Sequence, residues 1–164
     1  MNISIIFPNQ IFQKSDLLDK SSKIVLIEEF LFFKQFKFHK QKILFHRMTL
    51  KIYQSYLKEK GYDVKYIDSI EKNSDIRCFI KNLNNDIKTI KIYDPVDNWL
   101  LKRIETICNK KNIKIEIFNN PLFLNNNQEL EGFFRADKKK FFQTYFFQEM
   151  ILKHLFIYLW SLSF

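Results

Sequence analysis

Residues 24–53 read IVLIEEFLFFKQFKFHKQKILFHRMTLKIY, and their order decides the fold. Ile24 to Ile27 form a short apolar run that stops on two carboxylates, Glu28 and Glu29. Aromatic residues crowded among lysines follow. From His39 to Lys60 the apolar positions Ile43, Leu44, Met48, Leu50, Ile52, Tyr53, Tyr56 and Leu57 then recur mostly at helical spacing. The first run predicts a buried strand, and the second an amphipathic helix with those residues turned to the core. Gly61 stands where a helix end favours left-handed geometry, and residues 62–67, YDVKYI, alternate as a strand does. Strand, helix, glycine and strand make a βαβ unit with a right-handed crossover. Open sheets built this way bind ligands beyond the carboxyl ends of their strands, which is where Glu28 and Glu29 fall.

The same grammar extends in both directions. Ile3 to Phe7 is an apolar run stopped by Pro8, read as the first and central strand, with Asn9 and Gln10 in the loop at its carboxyl end. Ser74 is placed as the N-cap of a helix from Asp75 to Asn84, with Ile76, Phe79, Ile80 and Leu83 inward. Thr89 to Tyr93 is a fourth strand ending on Asp94-Pro95. Asp97 caps a helix from Asn98 to Lys111 with Trp99, Leu100, Ile104, Ile107 and Cys108 inward, and Ile113 to Phe118 is the fifth strand. The prediction is a Rossmann-like open α/β fold: a mainly parallel five-stranded sheet with helices on both faces, the second and fourth strands flanking the first. This domain covers residues 1–120. In residues 121–164 an Asn-rich loop, 121–132, precedes a helix from Lys138 to Met150 capped by Asp137, whose FFQTYFFQEM is too aromatic to stay uncovered on all sides.

Composition narrows the functions. A chain of 164 residues suits one ordinary core, and 46% hydrophobic with 27% charged residues is the balance of a folded domain. The 19 Phe and the abundant Lys, Asn and Ile read as codon bias. A net charge of +9 is compatible with polyanion binding but also with lysine as the default surface residue. Two glycines exclude glycine-rich phosphate loops. Cys78 and Cys108 fit buried thiols in a reducing cytoplasm, without disulfide or zinc spacing. His39 and His46 lie roughly two helical turns apart, too far to share an ion unaided, and His154 is remote in sequence. No secretory leader is recognised, and the apolar segment from Ile151 is shorter than the ~20 residues of a bilayer span, so no membrane partner is expected.

Chemistry concentrates at Glu28 and Glu29, because two adjacent carboxylates at a strand end need solvent or donors. Pro8 and Asn9 read equally as turn formers, and Lys42 reads more readily as an exposed helix lysine than as a site residue.

The blocks IFPNQIF, IEEFLFF, FHKQK with HR, GYDVKYI, DPVD, and PLFL with KKKFF, in this order, resemble the N-terminal α/β domain of the cryptochrome/photolyase family. The nearest likeness is to its iron–sulfur bacterial branch of the (6-4) photolyase type. The resemblance implies light-driven DNA repair or blue-light sensing in the full-length family, with a ribolumazine-type antenna chromophore cradled by the strand-end loops. On this reading Asn9, Gln10, Glu28, Glu29, Lys42 and Asp94 are the cofactor-binding candidates, with no catalytic and no metal residues. It also implies a helical domain carrying FAD and an iron–sulfur cluster, towards which Lys138, Lys139, Phe141, Phe142, Tyr145, Phe146 and Phe147 would lead. After Met150 the wording departs from the family, so a truncated chain without catalysis of its own is expected. Its implied partners are DNA, a separate helical FAD domain, or a second copy meeting residues 141–160. Two other readings stay open: a basic nucleic-acid-binding module using Lys34 to Lys42 and Lys138 to Lys140 between aromatics, and a ligand-free α/β interaction protein.

Overall fold

The structure is a computed structural model that describes residues 1–135 and 137–161, with side chains described except at 127 and beyond Leu152. It divides into two units, Met1–Leu122 and Phe123–Phe164. The first contains β1 (Asn2–Ile6), β2 (Lys23–Ile27), β3 (Val64–Ile67), β4 (Thr89–Tyr93) and β5 (Lys114–Phe118) in one sheet of order β3-β2-β1-β4-β5. Every pairing is parallel, with Ile5 beside Val25 and Ile3 beside Ile90. The predicted sheet, its central strand and that strand's two neighbours are all found.

β1 and β2 are buried on both faces, as continuous apolar runs require. On one face Ile5, Phe7, Val25 and Ile27 pack under α1 (Phe30–Phe33), α3 (Ile76–Lys81) and α4 (Asn98–Lys111) through Leu31, Ile76, Ile80, Leu100 and Ile104. On the other, Ile6, Ile24 and Leu26 meet Leu50, Tyr53 and Leu57 of α2 (Lys40–Glu59), and Leu17 of the β1–β2 loop. Gly61 adopts φ 80°, the conformation its position after α2 called for.

Some local expectations are overturned. Leu44, Met48 and Ile52 are 56%, 52% and 66% exposed, so they lie on the outside of α2. Apolar residues ring most of this helix, and only the arc through Leu50, Tyr53 and Leu57 reaches the sheet. Trp99, 59% exposed, likewise faces outward from α4. Asp75, not Ser74, caps α3: its Oδ1 accepts from the Arg77 N–H at 2.9 Å, while the Ser74 hydroxyl donates to the Ser69 carbonyl at 3.1 Å. The carboxylate wins because Ser74 belongs to a 3₁₀ turn, Lys72–Ser74, with its hydroxyl already engaged. Asp97 caps α4 as expected, accepting from the Leu100 N–H at 2.9 Å.

The second unit holds α5 (Asn127–Phe133) and α6 (Gln143–Ser161). The expected loop at 121–132 therefore contains a helix. Its signal was a capping box, in which Asn126 accepts from the Glu129 N–H and Glu129 reaches back to the Asn126 N–H. Asp137 caps no helix among the described residues and pairs with Arg135 at 3.0 Å. α6 begins after the lysines, because three consecutive positive charges oppose the positive end of a helix dipole. Phe133, Phe134, Phe141 and Phe146 form a ring cluster inside this unit. The expected contact surface through residue 160 and the reading of His154 lie in part outside the described side chains. No helix among the described residues is long and apolar enough to cross a membrane.

Candidate ligand site at the carboxyl ends of the strands

From β1 the chain winds outward through β2 and β3, then returns to β4 and β5 on the opposite side, so the topological switch lies between β1 and β4. A crevice at such a switch is where doubly wound sheets take ligands. The loops that leave the strands here carry Phe7 to Gln10, Glu28 to Phe33, Asp94 to Asp97, and Asn120.

Gln10 is 1% exposed. Its backbone N–H closes a turn onto the Phe7 carbonyl at 2.9 Å, and its Nε2 donates to the Asp94 carbonyl at 2.9 Å. That carbonyl can only accept, which fixes which end of the amide is nitrogen. Oε1 is therefore held as a buried acceptor, and it has no hydrogen-bond partner among the described residues. The Asn120 Nδ2 donates to the same Asp94 carbonyl at 2.8 Å. Two residues on, Val96 adopts φ 57°, a left-handed backbone for a β-branched residue. The Asp94 Oδ1 stabilises this turn by accepting from the Val96 N–H at 2.9 Å. Strain of this kind collects where surrounding structure over-determines a loop.

Glu28 is fully buried and its oxygens are all engaged. Oε1 accepts from the Arg47 Nε at 2.7 Å and from the Tyr66 hydroxyl; Oε2 accepts from the Arg47 Nη2 and, at 2.8 Å, from the Ser69 N–H. Arg47 also donates to Asp68 Oδ1 at 2.9 Å and to Ser69 Oγ at 3.0 Å. Burial alone would raise the Glu28 carboxyl, but Arg47, Tyr66 and Ser69 outweigh it and hold it below its usual range. Tyr66 is pushed upward by burial and by Glu28. This network clamps the carboxyl ends of β2 and β3 to α2.

Glu29 behaves oppositely. It caps α1 by accepting from the Leu31 N–H and also accepts from the Ile76 N–H at 3.4 Å. Burial dominates and pushes it up to about 7, against the Leu31 and Ile76 N–H groups and the Arg103 charge. Arg103, on α4, has a buried Nη1 with no partner among the described residues. Asp75, near both, is held low chiefly by its hydrogen bonds from the Arg77 side chain. Two adjacent glutamates thus differ: Glu28 stays charged, and Glu29 can exchange a proton near neutrality.

Of the six candidates, Gln10 and Asp94 are brought into direct contact, and Glu28 and Glu29 line the adjoining strand end. Asn9 is exposed in the turn after β1. Lys42 is exposed on α2, with its Nζ 4.3 Å from the Phe38 ring centroid. Arg47, Tyr66, Asn120 and Arg103 escaped the sequence reading. A buried carboxylate requires a cation, and the only arginine between Glu29 and Glu59 is Arg47. Among the cavities are a groove of about 310 Å³ against Tyr53 and Tyr56 and one of about 220 Å³ at the opposite end of the sheet. The second unit has a hollow of about 590 Å³ beside Phe133, Phe141 and Tyr145. No set of three or more His, Cys, Asp and Glu among the described residues is placed to hold a metal ion.

Comparison with known proteins adds two findings. The family model for deoxyribodipyrimidine photo-lyase-related protein matches residues 4–155. An uncharacterized protein of Acanthamoeba polyphaga mimivirus is 33% identical over 156 residues, spanning 89% of this chain and 79% of the viral one.

Proposed function

The chain belongs to the deoxyribodipyrimidine photo-lyase-related protein family, and from that premise we propose that its α/β unit is an antenna-chromophore-type domain of the iron–sulfur bacterial cryptochrome/photolyase branch. It takes a ribolumazine-type pigment in the crevice beyond β1, β2 and β4.

The observation that carries this reading is the Gln10 amide, whose Nε2 is tied to Asp94 and whose Oε1 is a buried acceptor without a partner among the described residues. A lumazine ring N–H, or a hydroxyl of its ribityl chain, is a donor suited to that oxygen. Glu29, poised near neutrality, can donate to a ring carbonyl or accept from a hydroxyl. The half-buried Phe32, backed by the core residue Phe7 with ring centroids 6.4 Å apart, supplies an apolar wall. Asn9 and Lys42 are assigned to the rim. Glu28 is assigned no ligand contact, since its oxygens are engaged; it positions the loop that presents Glu29.

When bound, such a pigment absorbs blue light and passes the excitation to a flavin. FAD and the iron–sulfur cluster are assigned to none of these residues: the chain has two cysteines, and a cubane cluster takes four thiolates. Photochemistry on a DNA lesion would belong to the flavin, which supplies the electron, so no repair step is assigned to this unit. The half-buried Cys78 and buried Cys108 suit a reducing cytoplasm.

Absorbance of the purified protein tests the reading. A near-visible band with lumazine-like fluorescence is the expected result. Salt-dependent DNA binding by a protein that takes up no pigment would oppose it.

A further inference from the structure

The face of α2 turned away from the sheet is apolar where an isolated domain would be polar. Leu44, Met48 and Ile52 succeed one another at helical spacing and are 56%, 52% and 66% exposed. Phe45 at 65% widens the stripe, and Phe36 at 60% stands in the turn that precedes the helix. Helical geometry places Lys40, Lys51 and Lys58 along one edge and Lys42 and Lys60 along the other. No Asp or Glu occurs between Glu29 and Glu59, and none of the lysines between them forms an ion pair among the described residues. Arg47 is already committed to Glu28 and Asp68. A continuous apolar stripe rimmed by one sign of charge marks an interaction surface, with the acidic Glu59 only at its far end.

Charge decides among occupants. A second copy would bring another rim of lysines, in a chain whose net charge is already +9. Single-stranded nucleic acid could use the lysines and stack on Phe36 or Phe45, yet Leu44, Met48 and Ile52 give bases nothing to stack on. An anionic bilayer satisfies both sets at once: the stripe enters the boundary between headgroups and acyl chains, and the lysine stems reach back to the anionic headgroups. We propose that the outer face of α2 docks on the surface of an anionic lipid membrane. The contact is peripheral and needs no spanning helix and no groove.

The test is vesicle flotation with the full chain, using phosphatidylcholine alone and with on the order of a third phosphatidylserine. α6 is itself rich in apolar residues, so the outcome rests on α2 variants at exposed positions, with circular dichroism verifying that they fold. The intact protein is expected to float with the anionic vesicles at low salt. Phe45→Glu with Ile52→Glu weakens this at least about tenfold. Lys40→Gln with Lys58→Gln weakens it by roughly a few-fold and flattens its salt dependence. Equal flotation with neutral vesicles, or binding unchanged by the glutamate pair, would overturn the proposal. So would either of two other results in place of flotation: a salt-sensitive complex with a single-stranded oligonucleotide that only the glutamine pair abolishes, or a dimer in sedimentation that the glutamate pair dissociates.

Discussion

The Arg47 guanidinium holds the Glu28 carboxylate by two parallel hydrogen bonds, from Nε to Oε1 at 2.7 Å and from Nη2 to Oε2. This bidentate grip turns an acidic pair at a strand end into one structural and one titratable residue. Arg47→Met should cost about 3 kcal/mol, because it leaves a buried carboxylate short of two donors. Arg47 is partly exposed, which keeps the figure toward the low end. Arg47→Lys should recover only part of the loss, since an ammonium cannot reproduce the fork. Urea unfolding at neutral pH measures both, and a loss under about 0.5 kcal/mol for the methionine variant would remove the clamp from the account.

Glu29 predicts a pH dependence of opposite sign to the usual carboxylate. Its folded value is raised from 4.5 to about 7, so the folded state binds the proton more tightly than the unfolded chain does. The stabilisation is complete below the unfolded value and is lost as pH rises from there through about 7, in total on the order of 3 kcal/mol. Glu29→Gln keeps an acceptor for the Leu31 N–H but cannot titrate, so its stability should stay flatter across this range. Parallel slopes for variant and wild type between pH 5 and pH 8 (about the interval from the unfolded to the folded value) would contradict the assignment.

Helix faces give the next expectation. Ile104→Ala and Leu50→Ala should each cost about 2–5 kcal/mol, since both side chains are fully buried. Leu44→Ala should fall within about 0.5 kcal/mol of wild type, because Leu44 is mostly exposed. Thermal melts rank the three, and a large loss at Leu44 would mean that its face is covered in solution.

Val96→Gly should stabilise the unit by about 1 kcal/mol, by relieving a left-handed β-branched residue whose side chain is largely exposed. A destabilised variant would mean that the turn at Asp94 depends on the valine side chain rather than tolerating it.

The alternation from Ile3 to Phe118 made the sheet legible, because buried parallel strands are written as unbroken apolar runs and their helices by periodicity. It did not say which arc of α2 faces inward. Apolar residues occur nearly all round this helix, so periodicity could not separate Leu50, Tyr53 and Leu57 from the outward Leu44, Met48 and Ile52. The proposed membrane face was hidden for the same reason, since a surface stripe lacks the unbroken apolar length of a spanning segment. Gln10, Glu28, Glu29 and Asp94 could be picked out as polar groups at strand ends. Their division of labour could not, because it depends on Arg47, Tyr66 and Ser69 arriving from α2, β3 and the loop after β3 to engage Glu28. The helix α5 was written in the Asn126 and Glu129 capping box and obscured by the asparagines around it.

The central claim is that the switch-point crevice takes a lumazine-type ring through Gln10. The most direct measurement is a fluorescence titration of a ribityl-lumazine with the wild-type chain and with Gln10→Leu, whose folding is verified by melting. Saturable binding by the wild type, weakened about tenfold to a hundredfold in the variant, is predicted, because leucine leaves a ligand donor unpaired in a buried site. No binding by the wild type, or equal affinity in the two proteins, would contradict it.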